Sequence, residues 1–141
     1  MANEEYAGDV LPAEVYAALQ KDSRSVLIDV RTVPEWQFVG VPDLKPVGKD
    51  TYFIEWQSYP TMQVNAEFAD LVKSKGVDAD QTVYLICRSG VRSKAAAKAL
   101  TASGFRTCYN VAQGFEGDAD ENGHRGRVGG WKFAGLPWRQ Q

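Results

Sequence analysis

Histidine occurs once in these 141 residues, as His124, and cysteine twice, as Cys87 and Cys108. Two cysteines are too few for the disulfide framework of a small secreted domain. Charge of one sign is missing as well: 16 Lys and Arg stand against 18 Asp and Glu, a net charge of −2. Such a balance supplies no overall field to gather nucleic acid or an anionic membrane. No apolar run approaches the roughly 20 residues needed to cross a bilayer. The start, Met1-Ala2-Asn3-Glu4-Glu5, is acidic and lacks the apolar run of a signal peptide. The expectation is a cytoplasmic protein with both thiols free, bound to neither nucleic acid nor membrane.

What is present is ordinary for a globular chain: 44% hydrophobic, 24% charged and 11% aromatic residues. The length suits one domain, residues 1–141, and folding at this size buries about 68–70% of the unfolded surface. Val10-Leu11-Pro12 opens a helix with Val15 and Leu19 on one face. Ser25–Val30 and Gln81–Ile86 are short, nearly continuous apolar runs, the pattern of buried parallel strands, and Thr107–Val111 is a third. Between Arg31 and Pro60 the pattern is irregular, with four prolines, Trp36, Trp56 and one short strand near Tyr52-Phe53-Ile54. Asn65 reads as an N-cap for a helix with Phe68, Leu71 and Val72 inward and Gly76 as its stop. Ser93–Leu100 is alanine-rich and helical, ended by Gly104. Gly114 to Gly130 is a polar, glycine-rich loop, and Trp131–Trp138 an apolar tail that docks back on the body. Alternating strands and helices define an α/β domain around a mostly parallel sheet.

The chemistry concentrates in Cys87-Arg88-Ser89-Gly90-Val91-Arg92-Ser93. A cysteine ends a buried strand, a short loop follows, and a helix begins at once. Ligands of parallel sheets bind beyond the carboxyl ends of the strands. There the unpaired amides of the loop and the first helical turn point outward, backed by the helix dipole. An unperturbed thiol is only about 3% thiolate at pH 7, and helix N-termini with nearby cations raise that share greatly. Cys87 is therefore the candidate nucleophile, and Arg88 and Arg92 the cations that draw an anion to it.

Leu27-Ile28-Asp29-Val30-Arg31, Glu35-Trp36, the cysteine loop with its alanine-rich helix, Val111-Ala112-Gln113-Gly114-Phe115 and the ending Trp131…Gly135-Leu136-Pro137-Trp138 together resemble the rhodanese family. The resemblance covers nearly the whole chain. It implies a rhodanese-like α/β fold with a central, mostly parallel five-stranded sheet flanked by helices. It also implies an enzyme, a thiosulfate:acceptor sulfurtransferase working through a persulfide on Cys87. Cys87 would take sulfur from thiosulfate or a related small-molecule donor and pass it to cyanide, a thiol or a protein sulfur acceptor. The amides from Arg88 to Ser93 would cradle the persulfide, with no cofactor and no metal. Two positions differ from the family pattern: Gly40-Val41-Pro42-Asp43-Leu44 replaces a Gly-His-Ile/Leu-x-Gly-Ala segment, and Gln113 stands where glycine is frequent.

Other readings compete. Cysteine-dependent phosphatases and arsenate reductases place five residues between cysteine and arginine, but Cys87 and Arg92 have four between them. That shorter loop suits one sulfur atom better than a tetrahedral oxyanion. A non-enzymatic rhodanese module usually lacks the cysteine or breaks the loop. A redox sensor normally needs a resolving thiol nearby. Cys108 starts its strand while Cys87 ends a neighbouring one, so about 13 Å separates them, beyond disulfide reach. Cys108 thus reads as core filling. Asp29 and Arg31 share the rim with Cys87 in supporting roles: Asp29 either accepts hydrogen bonds from the loop or pairs with Arg31 or another arginine. His124, in a polar run, reads as a solvated surface histidine, and the tryptophans as packing. Arg125 and Arg127 are candidates for a lid over the crevice.

Overall fold

A computed structural model describes residues 5–58 and 60–140. The acidic start at residues 1–4, Tyr59 and Gln141 lie outside them. In chain order the elements are β1 (Gly8–Val10), α1 (Pro12–Lys21), β2 (Val26–Asp29), α2 (Val33–Phe38), β3 (Val41–Pro42), β4 (Tyr52–Phe53), β5 (Gln57–Ser58) and β6 (Gln63–Val64). Then follow α3 (Phe68–Ser74), β7 (Thr82–Ile86), α4 (Val91–Ala102), β8 (Thr107–Val111) and β9 (Trp138–Arg139). The apolar runs form the centre of a five-stranded sheet ordered β1-β8-β7-β2-β4, in which every pair is parallel. This is the α/β architecture read from the sequence.

The pleat sorts the strands onto two packed faces. Val26, Ile28, Val83, Leu85, Cys87 and Cys108 pack with α3 and α4 through Phe68, Val72, Ala96, Ala97 and Leu100. Leu27, Tyr84, Ile86 and Val111 face the other way, against Val15 and Leu19 of α1 and the late residues Phe115 and Trp131. Burying one such aliphatic side chain stabilises the fold by about 1.5–3 kcal/mol, so the sheet is fixed from both sides. The apolar tail docks as read: Trp131 is fully buried, its ring edge-on to Tyr16 at 5.8 Å, and β9 pairs antiparallel with β3. The unusual Gly40 segment serves that docking, because a Cβ at Gly40 would lie 2.7 Å from the Trp138 ring.

Three local readings need correction. The irregular stretch after Arg31 holds a helix, α2, whose start is tied by Thr32: its amide and hydroxyl both donate to Glu35 Oε1, at 3.1 and 3.0 Å. Residues Gly8–Val10, before the first helix, form an edge strand on β8. Asn65 is not the N-cap of α3. Its side-chain oxygen accepts from the Glu67 amide at 3.0 Å in a turn, and the helix begins at Phe68. Of the three apolar residues read as inward, Phe68 and Val72 are buried, whereas Leu71 is 38% exposed.

Candidate active site

Strand β7 delivers Cys87 to the carboxyl edge of the sheet, and α4 starts four residues later. Gly90 makes the turn between them with φ at +112°, a left-handed conformation that costs a side-chain-bearing residue about 1–3 kcal/mol. That turn brings its amide to 3.1 Å from Cys87 Sγ. The Ser93 hydroxyl, in the first turn of α4, lies 3.2 Å from the same sulfur. Cys87 is 1% exposed, so the sulfur sits at the floor of its loop.

The loop's carbonyls are drawn to the opposite side. Cys87 O accepts from the Phe115 amide at 2.8 Å, and Arg88 O from the amides of Glu116 and Gly117 at 3.0 and 3.2 Å. Gly114 lets the chain approach this closely: at φ +61°, a Cβ there would meet Cys87 O at 2.5 Å. With the carbonyls held back, the N–H groups of Arg88, Ser89, Val91, Arg92 and Ser93 have no acceptor among the described residues. An anionic atom beyond Sγ would find several donors on the rim of a helix N-terminus.

Ser93 belongs to a chain of polar groups. Its Oγ lies 2.5 Å from Asn110 Oδ1, and Asn110 Nδ2 donates to Asp9 Oδ1 at 3.0 Å. A carboxylate only accepts, so Asp9 fixes which end of the Asn110 amide faces Ser93. Asn110 and Asp9 were not singled out in the sequence, because they reach the loop from β8 and β1 and no local spacing links them to it.

The two arginines of the loop take different parts. Arg88 is exposed and is among the residues that line a neighbouring cleft. Arg92 is not free to receive an anion, which corrects the sequence reading: it binds Glu35 through both nitrogens, at 2.7 and 2.9 Å. Burial by itself pushes the Glu35 carboxyl up, but the Arg92 hydrogen bonds and the Thr32 amide outweigh it and lower the group from 4.5 to about 2. The same pairing raises Arg92. Glu35, quoted earlier only within a motif, thus ties α2 to α4. The signal Thr32-x-x-Glu35 with Pro34 was there to be read as a helix start.

Asp29 and Arg31 do not touch the sulfur. Asp29 follows Leu27 on the α1 face, whereas Cys87 points to the α4 face. Of the two readings of Asp29, the ion pair is the one present. Arg31 Nη2 binds Asp29 Oδ2 at 2.8 Å, both side chains are fully buried, and a second bond from Nη2 reaches Gly40 O at 2.7 Å. The Arg31 guanidinium also lies 4.3 Å over the Phe115 ring. Since the Phe115 amide holds Cys87 O, this pair braces the loop at one remove. Cys108 pairs in register with Val83, four residues before Cys87 on the adjacent strand, and burial pushes its thiol up to about 11. Both cysteines are free.

Beside the loop opens a cleft of about 610 Å³, whose lining includes Glu35, Arg88, Glu116, His124, Arg125 and Arg127. The structure therefore places both lid candidates with Arg88. Arg125 is pinned by a 2.7 Å bond from Nη1 to Gly117 O. Gln113 takes the left-handed conformation, φ +68°, where glycine is frequent, and its side chain accepts from the Gly130 amide at 3.1 Å to close the base of this long loop. The tryptophans pack elsewhere: Trp36 on Phe53, Trp56 on Phe68 and Trp131 on Tyr16. Among the described residues no cluster of His, Cys, Asp and Glu is placed to hold a metal, and no helix is long and apolar enough to cross a membrane.

The family model described as STR4 middle domain matches residues 8–141, and the chain belongs to that family, with the rhodanese-like fold. The crystal structure of Rv0390 from M. tuberculosis is 43% identical, with a TM-score of 0.86 over 96% of this chain and 99% of that one. The solution structure of a polysulfide-sulfur transferase homodimer from Wolinella succinogenes shares the fold at 24% identity, with a TM-score of 0.64 over 99% and 82%. An uncharacterised protein of Rickettsia conorii is 34% identical over 93% of this chain and 96% of its own length. Rhodanese-like domain-containing protein 17 of Arabidopsis thaliana is 39% identical over 67% of this chain and 58% of that protein.

Proposed function

We propose that this domain is a thiosulfate:acceptor sulfurtransferase that carries sulfane sulfur as a persulfide on Cys87. The observation that carries the reading is the seat around the sulfur. The Gly90 amide already donates to Sγ at 3.1 Å, and further amides of the loop stand without acceptors among the described residues. In the first half-reaction the Cys87 thiolate attacks the outer sulfur of thiosulfate. The sulfur–sulfur bond of the donor breaks and sulfite leaves with the electron pair. The terminal persulfide sulfur then carries the negative charge into the ring of amides, where charge-assisted hydrogen bonds are strongest. A thiophilic acceptor, cyanide or a thiol, attacks that outer sulfur and returns Cys87 to its thiolate. No cofactor or metal takes part. Arg88, which among the described residues has no carboxylate partner, attracts the anionic donor, while Arg92 anchors α2 to the loop through Glu35. Two buried thiols too far apart to pair fit a reducing, cytoplasmic setting.

The rival reading, a cysteine-dependent phosphatase, asks the same loop to surround a tetrahedral oxyanion with its arginine. The four-residue spacing and the commitment of Arg92 to Glu35 both weigh against it. Thiosulfate with cyanide and an aryl phosphate, assayed side by side, separate the two. Thiocyanate formation that is lost in Cys87→Ser is the expected outcome. Phosphate release without sulfur transfer would overturn the proposal.

A further inference from the structure

We infer that Asp9, acting through Asn110, holds the Ser93 hydroxyl proton away from Cys87 Sγ and so favours the states in which that sulfur is uncharged. The ground is a count of protons. Ser93 has one hydroxyl hydrogen and two acceptors in reach, Asn110 Oδ1 at 2.5 Å and Cys87 Sγ at 3.2 Å. Asn110 Nδ2 donates at 3.0 Å to the Asp9 carboxylate, which can only accept. The amide is thereby kept from turning over, and its oxygen stays on the Ser93 side. The hydrogen goes to that oxygen, because a neutral sulfur is the weaker acceptor. A lone pair of Ser93 Oγ is left facing Sγ.

A thiol at Cys87 fits this arrangement, since its S–H can donate to Ser93 Oγ. A thiolate fits only after the hydroxyl turns round, which leaves Asn110 Oδ1, on a residue 2% exposed, without its donor. Ser93 is thus a rotor that follows the charge on Sγ. On the sulfur-carrier reading above, on which this further step rests, loading removes the charge from Sγ again and the hydroxyl returns to Asn110. Asp9 thereby helps the domain keep its sulfur. When an acceptor thiolate attacks the outer sulfur, a new sulfur–sulfur bond forms. The bond to Sγ breaks, Sγ leaves with its electron pair, and the hydroxyl swings to meet the charge. Asp9 and Asn110 are positioning residues in this scheme, acting through Ser93.

Other charged and titratable groups surround the chain. Near Cys87 are Arg88 of its loop, Arg92 of α4 paired with Glu35 of α2, and Cys108 of β8, with the Asp29–Arg31 pair on the other face of the sheet. Around Asp9 stand Tyr6, whose hydroxyl donates to Oδ1 at 3.0 Å, and Lys94 of α4, which lines the same pocket. Among the described residues none of these hydrogen-bonds the side chain of Ser93 or Asn110. They set the baseline, and Asp9 sets the difference.

The first test reads Cys87 before any sulfur is loaded. Its alkylation by iodoacetamide, an uncharged reagent that reacts with the thiolate, is timed across about pH 5–10 and located by peptide mass spectrometry. Asp9→Ala, at an exposed position of an edge strand, should lower the midpoint of this profile by about half to one unit, a gain of about three- to tenfold in thiolate below it. Asp9→Asn keeps the side-chain shape but both donates and accepts, so it unlocks the Asn110 amide and should move the midpoint the same way. In a Ser93→Ala background both shifts should vanish. A shift that persists there is the bare charge of Asp9 acting through space, and it would overturn the inference, as would no downward shift with Ser93 in place. After loading with thiosulfate, Asp9→Ala should discharge to 2-mercaptoethanol about twofold faster or more, because the more acidic thiol is the better leaving group. Unchanged discharge beside a shifted midpoint would overturn the role in keeping sulfur. A wild type that takes up no sulfur would remove the sulfur-carrier reading and leave the alkylation result standing.

Discussion

Cys87 and Cys108 lie on neighbouring parallel strands, on the same face of the sheet, and both are buried. Their surroundings differ in kind. Cys108 sits four residues down the ladder among apolar side chains, and burial pushes its thiol up to about 11 against the opposing effect of the Thr101 hydroxyl. Cys87 stands where the ladder ends. Around it converge an amide from the turn, a hydroxyl from α4 and loop carbonyls tied back by residues 115–117. Depth of burial therefore does not decide what a thiol can do. The polar groups at the end of the strand do, and they are held there by parts of the chain distant in sequence.

The contrast breaks most sharply at Gly114. Gly114→Ala would put a Cβ against Cys87 O and Arg88 C while keeping a left-handed backbone. A loss of about 3 kcal/mol in urea unfolding is expected, from overpacking and strain together, with most sulfur loading lost at Cys87. Gly104→Ala is the control, since it has φ +106° with nothing within 4 Å of the added atom, and about 1 kcal/mol is expected there. Equal costs at the two glycines would mean that the clamp on the loop carbonyls is not what holds the site.

A smaller effect follows from Glu35. Its carboxyl is lowered to about 2 in the fold from 4.5, so its pairing stabilises the native state fully above about pH 5. That contribution, about 2–3 kcal/mol, fades as pH falls from 5 towards 2. Glu35→Gln should cost about 2 kcal/mol at pH 7, weaken the tie between α2 and α4, and flatten this acid limb of the stability profile. An unchanged acid limb in the variant would show that Arg92 does not depend on Glu35.

The same contrast marks how far the sequence could be read. The cysteine loop was legible because strand end, turn glycine and helix start are consecutive, and the buried runs announced the parallel sheet. Cys108 was legible as core because strand geometry alone separated it from Cys87. What escaped depends on long-range register. Arg92 and Glu35 are 57 residues apart, so nothing local showed that one arginine of the loop was already engaged. Asp29 appeared to share a rim with Cys87, and only the register of β2 against β7 shows that their side chains leave opposite faces of the sheet. Asn110 and Asp9 meet Ser93 through a strand pairing that spans most of the chain. By contrast, α2 was within reach, since Thr32, Pro34 and Glu35 already spell a helix start.

The central claim is that one sulfur atom is seated on Cys87 and nowhere else. Trypsin separates the two thiols, because cleavage after Lys75, Arg88, Arg106 and Arg125 leaves Cys87 in residues 76–88 and Cys108 in residues 107–125. After incubation with thiosulfate, alkylation without reductant and digestion, mass spectrometry should find one added sulfur on the first peptide and none on the second. Added sulfur on the Cys108 peptide, or on neither, would contradict the account.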